Sequence, residues 1–409
     1  MPTAGNDTAT TVSNVLKQKY PSEKVVRIAY ETDPFLNRIK KNTNFGGASL
    51  RVSLVYGAPQ GRSVSYSLSR TNRTTSSMAG FTLTRVKDYA HAGIESEAVL
   101  AGTGGDNSTL DTLKVTTEGL IYTIRRSLER GVYGDGSGKL GAITNTSFAT
   151  AVATLADPSQ AVNIEVGMKV VLCQPTSPFT PRTGTAVTVN AVDSDAGTVT
   201  LSANLSTFTS VAAGDLIVVE GDANGLMKGL AAWLPTTAPT GGDSFFGTDR
   251  SVSPTRLAGV RWAASGGDKV DTLMRANVRL NMEGGNPSKR IALLNPLDYG
   301  DAAIALGSKA IMEPMKSSTG DFGFDALKLH SPGGVLPLLG SNNVPKGEFF
   351  IVQEDTWTLH SLGPAPHIAD DDGQMVRRDD TSVDGLMMTA RYYAQLGCNA
   401  PAYNLHGQF

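Results

Sequence analysis

Residues 46–86 read GGASLRVSLVYGAPQGRSVSYSLSRTNRTTSSMAGFTLTRV, and the architecture turns on this stretch. It lies inside a run from Pro34 to Lys87 that carries nine Lys or Arg and no Asp or Glu. Leu50, Val52, Leu54 and Tyr56 alternate with other residues on the way out, and Phe81, Leu83 and Arg85 alternate on the way back. Period-two alternation on both sides of a Gly- and Pro-containing turn predicts two long strands joined at a tip. A two-stranded ribbon is marginal by itself in water, because no third layer covers it. The charge of Arg51, Arg62, Arg70, Arg73 and Arg85 also has no acidic counterpart within the ribbon. Such an arm is expected to be completed by another subunit, with those five arginines at the contact.

The rest of the composition is unremarked by any strong bias. A chain of 409 residues suggests two or three domains, and a formal net charge of -2 gives no global signature for nucleic acid. Charged residues make up 18%, and the 44 glycines predict much strand, turn and extended loop. The start, MPTAGNDTATTVSN, has neither the basic end nor the apolar core of a signal peptide. No apolar run approaches the roughly 20 residues of a membrane span, so no membrane partner is expected. Cys173 and Cys398 lie far apart and read as two reduced thiols.

Working outward from the ribbon, residues 1–45 form an N-terminal arm, with a short helix signalled by Asp33 as cap and Pro34 at the first helical position. The extended loop occupies 46–88. Residues 89–160 hold the clearest helix, capped among Asn107, Ser108 and Asp111. Its apolar face is Leu110, Leu113, Thr117, Leu120, Ile121, Ile124, Leu128 and Val132. Some 25 residues of helix make a rod of about 40 Å, a spine for a flat domain. Short alternating segments between turn signals make 161–222 an all-β insertion. Residues 223–285 return to the spine domain with a helix near Asp268–Glu283. Residues 286–385 form a second mixed domain, and 386–409 a return strand and tail. The fold class is α+β interrupted by an all-β insertion.

Motifs of chemistry are weak. Gly134–Leu140 has Tyr133 where a phosphate loop needs its first Gly, Leu140 where it needs Ser or Thr, and follows a helix instead of opening one. Asp193–Gly197 and Asp370–Gly373 lack the bidentate Glu of a calcium loop. His91, His330, His360, His367 and His406 have no metal-ligand spacing, and no strained Gly-x-Ser-x-Gly turn supports a catalytic triad. No catalytic, cofactor or metal residues are expected. The densest negative run is Asp370, Asp371, Asp372, Asp379, Asp380 and Asp384. It reads as a solvated loop or as the candidate acceptor for arginines of a neighbour's ribbon or N-arm, in pairs that contribute ~0.2–1 kcal/mol each and so set register more than affinity.

The order of parts resembles the major capsid proteins of tailed double-stranded DNA bacteriophages, the Hong Kong 97-like fold. The resemblance is carried by the arm, the ribbon, a spine helix running into Glu129–Gly141, the β insertion, and Val335-Leu336-Pro337, Val344–Glu348, Ile351 and Trp357 in the second mixed domain. It implies a peripheral domain around the spine helix and an axial domain (286–385) at a capsomer centre. It also implies hexamers and pentamers of this chain tiling an icosahedral shell around packaged double-stranded DNA. A virion location, assembly in a bacterial host cytoplasm, a portal protein and a candidate decoration protein go with that resemblance. With only some 45 residues ahead of the ribbon, a separate scaffolding protein is expected. The absence of lysine between Gly46 and Val86 implies no isopeptide bond from the loop. The competing readings are an encapsulin-like nanocompartment shell and a β-rich surface binding module.

Overall fold

The computed structural model describes residues 33–97, 112–264, 268–306, 312–314, 325–370, 375–378 and 384–409. Most of the N-terminal arm and the residues expected to cap the spine helix lie outside that set. The helix Pro34–Arg38 begins where the sequence signals it. Asp33 Oδ1 accepts the Phe35 and Leu36 amides at 2.9 and 2.8 Å.

Two sheets organise the body. The first is built on the long strand Gly385–Cys398, which pairs antiparallel with Val86–Glu95 from Gly385↔Glu95 to Ala394↔Val86. Trp357–Ser361, His367–Ile368 and Val376–Arg378 also pair with the long strand, and Lys40–Asn42 adds in parallel to Trp357–Ser361. The spine helix Thr112–Tyr133 covers this sheet: Leu120, Ile124, Leu128 and Val132 share a core with Met388, Ala390 and Tyr392. Its 22 residues correspond to about 33 Å of rod.

The second sheet has seven strands, in the order Val260–Ala263, Leu405–Gln408, Glu348–Gln353, Arg290–Leu294, Gly334–Gly340, Asp325–Ser331 and Met312–Pro314. Arg290–Leu294 is buried at every position because both faces are covered. Ile291, Leu293, Phe350 and Val352 face the core shared with the first sheet. Ala292, Leu294, Phe349 and Ile351 face a separate core under the helices Lys269–Asn281 and Pro296–Leu306. Sheet membership thus crosses the boundaries expected at 285/286 and 385/386. Trp357–Ser361, His367–Ile368 and Val376–Arg378 belong with the spine helix, and Val260–Ala263 and Leu405–Gln408 with the second sheet. Strand pairing joins segments far apart in the chain, so loop composition alone does not locate such boundaries.

The insertion is a six-stranded antiparallel sheet with its own core of Leu140, Leu172, Val189, Val199, Leu205, Phe208, Ile217 and neighbours. It starts earlier than residue 161, taking in Lys139–Ala142 and Val152–Thr154. The bridge Ile143↔Leu155, with the Ala156 amide on the Ala142 carbonyl and the Thr144 amide on the Thr154 carbonyl (2.8 Å each), joins the outer strands and closes it into a small barrel. Inside, Asp215 takes a two-point hydrogen bond from Arg182 at 2.7 and 2.9 Å. The glycine run after the spine helix is the turn that leads in. Gly136 and Gly138 adopt φ of 89° and 83°, and Asp135 accepts the Ser137 amide at 2.9 Å.

Candidate assembly surface

Ser49–Gly57 and Ser77–Thr84 pair antiparallel from Ser49↔Thr84 to Gly57↔Ser77, forming the ribbon that the alternation predicts. Its two ends differ. At the base, Phe81 and Leu83 are fully buried, and Leu50, Val52, Leu54 and Tyr56 pack against the main core. Phe81 meets Trp233 edge-on with ring centres 4.9 Å apart, and Trp233 stands edge-on to Trp357 and Phe245. The Trp233 indole N–H donates to the Leu396 carbonyl at 3.1 Å, which ties the cluster to the long strand. The segment around Phe246 lies along the returning strand: the Thr82 amide donates to the Phe246 carbonyl at 2.9 Å, and Thr248 Oγ1 donates to the Gly80 carbonyl at 3.0 Å. A supporting layer therefore exists at the base, contrary to the expectation of an uncovered ribbon. It is drawn from residues 230–249, more than 140 positions downstream, which ribbon composition does not reveal.

The tip has no such layer. Residues 58–76 carry a short helix, Tyr66–Thr71, with no buried residue. The loop is held by its own backbone, with the Thr74 amide on the Gln60 carbonyl at 2.8 Å and the Gln60 amide on Thr74 Oγ1 at 2.7 Å. Val64 and Tyr66 are 101% and 83% exposed, and Leu68 is exposed as well. Arg62, Arg70 and Arg73 line one side of an open concavity of about 560 Å³, with Tyr66, Pro59 and Gln60. Arg73 Nε donates to the Arg70 carbonyl at 3.0 Å. Neither the Arg62 nor the Arg70 guanidinium has a hydrogen bond or ion pair among the described residues.

The five ribbon arginines thus fall into three settings. Three gather at the tip. Arg51 lies mid-strand across Gly80, its guanidinium where a side chain at Gly80 would stand. Arg85 is used within the chain: it donates to the Phe45 carbonyl and sits 5.0 Å over the Phe45 ring. Of the candidate acidic acceptors, Asp371, Asp372, Asp379 and Asp380 lie outside the described residues. Asp370 is exposed just after His367–Ile368. Asp384 is exposed beside Arg378 at 3.5 Å and accepts from Ser96 Oγ at 3.3 Å. No ion pair joins a ribbon arginine to either of these two.

A feature the motif search missed lies under the arm. Asp33 is fully buried and receives the Tyr133 hydroxyl at 3.2 Å besides its two capped amides. Burial pushes its carboxyl up to about 6, against the pull of those hydrogen bonds. One helical turn back, Glu129 is pushed up to about 7, first by burial and then by the charge of Asp33, although Arg125, Arg126 and Arg130 oppose the shift. Asp222 is likewise raised to about 6 by burial and by Asp88. Only the cap role of Asp33 is readable from sequence; the other contacts are long-range.

Among the described residues there is no cluster of three His, Cys, Asp or Glu suited to a metal, and no helix is long and apolar enough to cross a membrane. Both cysteines are buried free thiols.

No protein-family model matches the chain, and no curated protein matches it. Solved structures do. The capsid asymmetric unit of cyanophage A-1(L) is 11% identical, with a TM-score of 0.50, over 88% of this chain and 87% of that one. The capsid of the native GTA particle is 11% identical, with a TM-score of 0.45, over 92% and 89%. The procapsid of satellite phage P4, solved with its size determination protein, is 9% identical, with a TM-score of 0.40, over 95% and 99%. At this identity the cyanophage likeness speaks to fold. This chain has the α+β, Hong Kong 97-like fold of a phage capsid subunit.

Proposed function

We propose that this protein is the structural subunit of an icosahedral phage capsid, assembling as hexamers and pentamers into a shell around double-stranded DNA. The observation that carries the reading is the ribbon tip. Arginines without carboxylate partners stand beside exposed Val64, Tyr66 and Leu68, on an arm whose base is locked into a capsid fold. Aromatic residues and arginine are the side chains enriched at protein–protein interfaces. Exposed in a lone subunit, they cost solubility; covered by a neighbour, they supply contact area. Many individually modest contacts allow wrongly placed subunits to leave before a shell closes. The role proposed is structural and not catalytic, within a virion assembled in a bacterial cytoplasm. A scaffolding protein and a portal would be the other partners. Residues 286–353 would form most of the axial part and the β barrel an inserted domain.

Negative-stain electron microscopy of the protein expressed alone, and with the products of its genomic neighbours, tests this. Closed shells, tubes or capsomer sheets are expected. A monodisperse monomer under every condition would remove the proposal. Shells filled with a protein cargo would favour a nanocompartment.

A further inference from the structure

We infer that the ribbon tip is an anion socket, formed by Arg62, Arg70 and Arg73 with Tyr66 as one wall, that receives carboxylates from segment 370–384 of a second copy of this chain. The inference rests on the shell reading above and names the partner of that surface. Three arginines that line one concavity repel one another. A stretch of 54 residues with no acid, Pro34 to Lys87, leaves nothing in the ribbon to offset them. The same chain does contain a matching surface. Segment 370–384 holds six aspartates against two arginines, and both of its described aspartates, Asp370 and Asp384, are exposed.

Strand register places the base of the ribbon and the acidic segment at opposite ends of one strand pair. The ribbon joins the first sheet at Val86, opposite Ala394, whereas the acidic segment enters the long strand at Gly385, opposite Glu95. Nine residue steps of strand separate those ends by about 30 Å. A tip that has no acid of its own, and no ion pair with Asp370 or Asp384 of the same chain, is satisfied between copies. The apolar residues beside the arginines favour a protein occupant over a phosphate backbone, which would need only charge. Arg85 takes no part in the socket, because Phe45 already occupies it.

The test compares three full-length variants with wild type by sedimentation and microscopy of assembled particles. They are R62D/R70D/R73D, D370R/D371R/D372R, and the two sets combined; circular dichroism reports folding, and R62Q/R70Q/R73Q serves as the milder tip variant. We expect each reversal alone to raise the concentration needed for assembly at least tenfold, the glutamine variant to raise it less, and the combined variant to restore most of it. Wild-type particles alongside equal assembly of the folded tip variants would overturn the socket and leave the shell reading intact. Loss of assembly in both single reversals without rescue in the combined variant would overturn the acidic segment as occupant. Normal yield with reduced DNA content would assign the arginines to packaged DNA and also overturn it. No particles from wild type under any condition would overturn the shell reading itself.

Discussion

The two ends of one hairpin, built from the same stretch of sequence, have opposite fates. At the base, Phe81, Leu83 and Arg85 find all their partners inside the chain: Trp233, the main core, and Phe45. At the tip, Arg62, Tyr66, Leu68 and Arg70 find almost none. Composition does not distinguish them, since arginine, aromatic and aliphatic residues occur at both ends. The difference is whether distant segments of the same chain reach the ribbon. Residues 230–249 reach the base and stop there. A residue left without a partner in a well-packed subunit is therefore a statement about the assembly, provided the neighbouring residues show that the chain had the means to cover it.

The comparison can be broken most forcefully at the base. Phe81→Ala removes a fully buried ring from the Trp233 cluster and should cost about 3–5 kcal/mol in chemical denaturation of the subunit. A loss below about 1 kcal/mol would mean that the base is no better anchored than the tip.

A second anchor, next to the base, is sensitive to pH. Asp33 has an ordinary carboxyl value of 3.8 and a folded value of about 6, and Glu129 moves from 4.5 to about 7. Raised acids give stability that is fully present below the unfolded value and is lost as pH climbs through the folded one. The arm–spine junction should therefore weaken between about pH 4 and pH 7. Asp33→Asn keeps the oxygen that caps the helix and cannot ionise. The stability of wild type relative to this variant should fall by an amount on the order of 2 kcal/mol over that window, followed by thermal or urea unfolding at several pH values. A difference that stays flat, or rises with pH, would contradict the burial argument.

Smaller effects sharpen the contrast. Arg85→Gln removes a cation–aromatic contact and a carbonyl hydrogen bond and should cost about 1 kcal/mol. At the tip, Tyr66→Ser with Leu68→Ser should change subunit stability by no more than about 0.5 kcal/mol, because neither side chain is covered. The same pair should lower particle yield. A variant stable as a subunit and unimpaired in assembly would show that the tip is mere solvated surface.

Much of this was legible in the residues. The ribbon strands, the helix Lys269–Asn281 and the Asp33 cap all follow from local alternation, helical period or cap chemistry. Val86–Glu95 was not seen as a strand, because its inward face is carried by Asp88, Ala90 and Ala92 between Val86 and Ile94, a weak apolar signal. The tip helix Tyr66–Thr71 is serine-rich and buries nothing, so it leaves no periodic trace. The candidate surface was legible as charge without an acid, which located the arginines but could not sort them. Separating Arg85 from Arg62, Arg70 and Arg73 needs the position of Phe45, and separating base from tip needs Trp233. Both are tertiary facts.

Hydrogen–deuterium exchange on the free subunit and on assembled particles tests the central claim most directly. Residues 77–84 should be protected in both states, and residues 58–76 should exchange freely in the subunit and become protected in the particle. Equal exchange of 58–76 in both states would contradict the account, because the tip would then be an end that no neighbour covers.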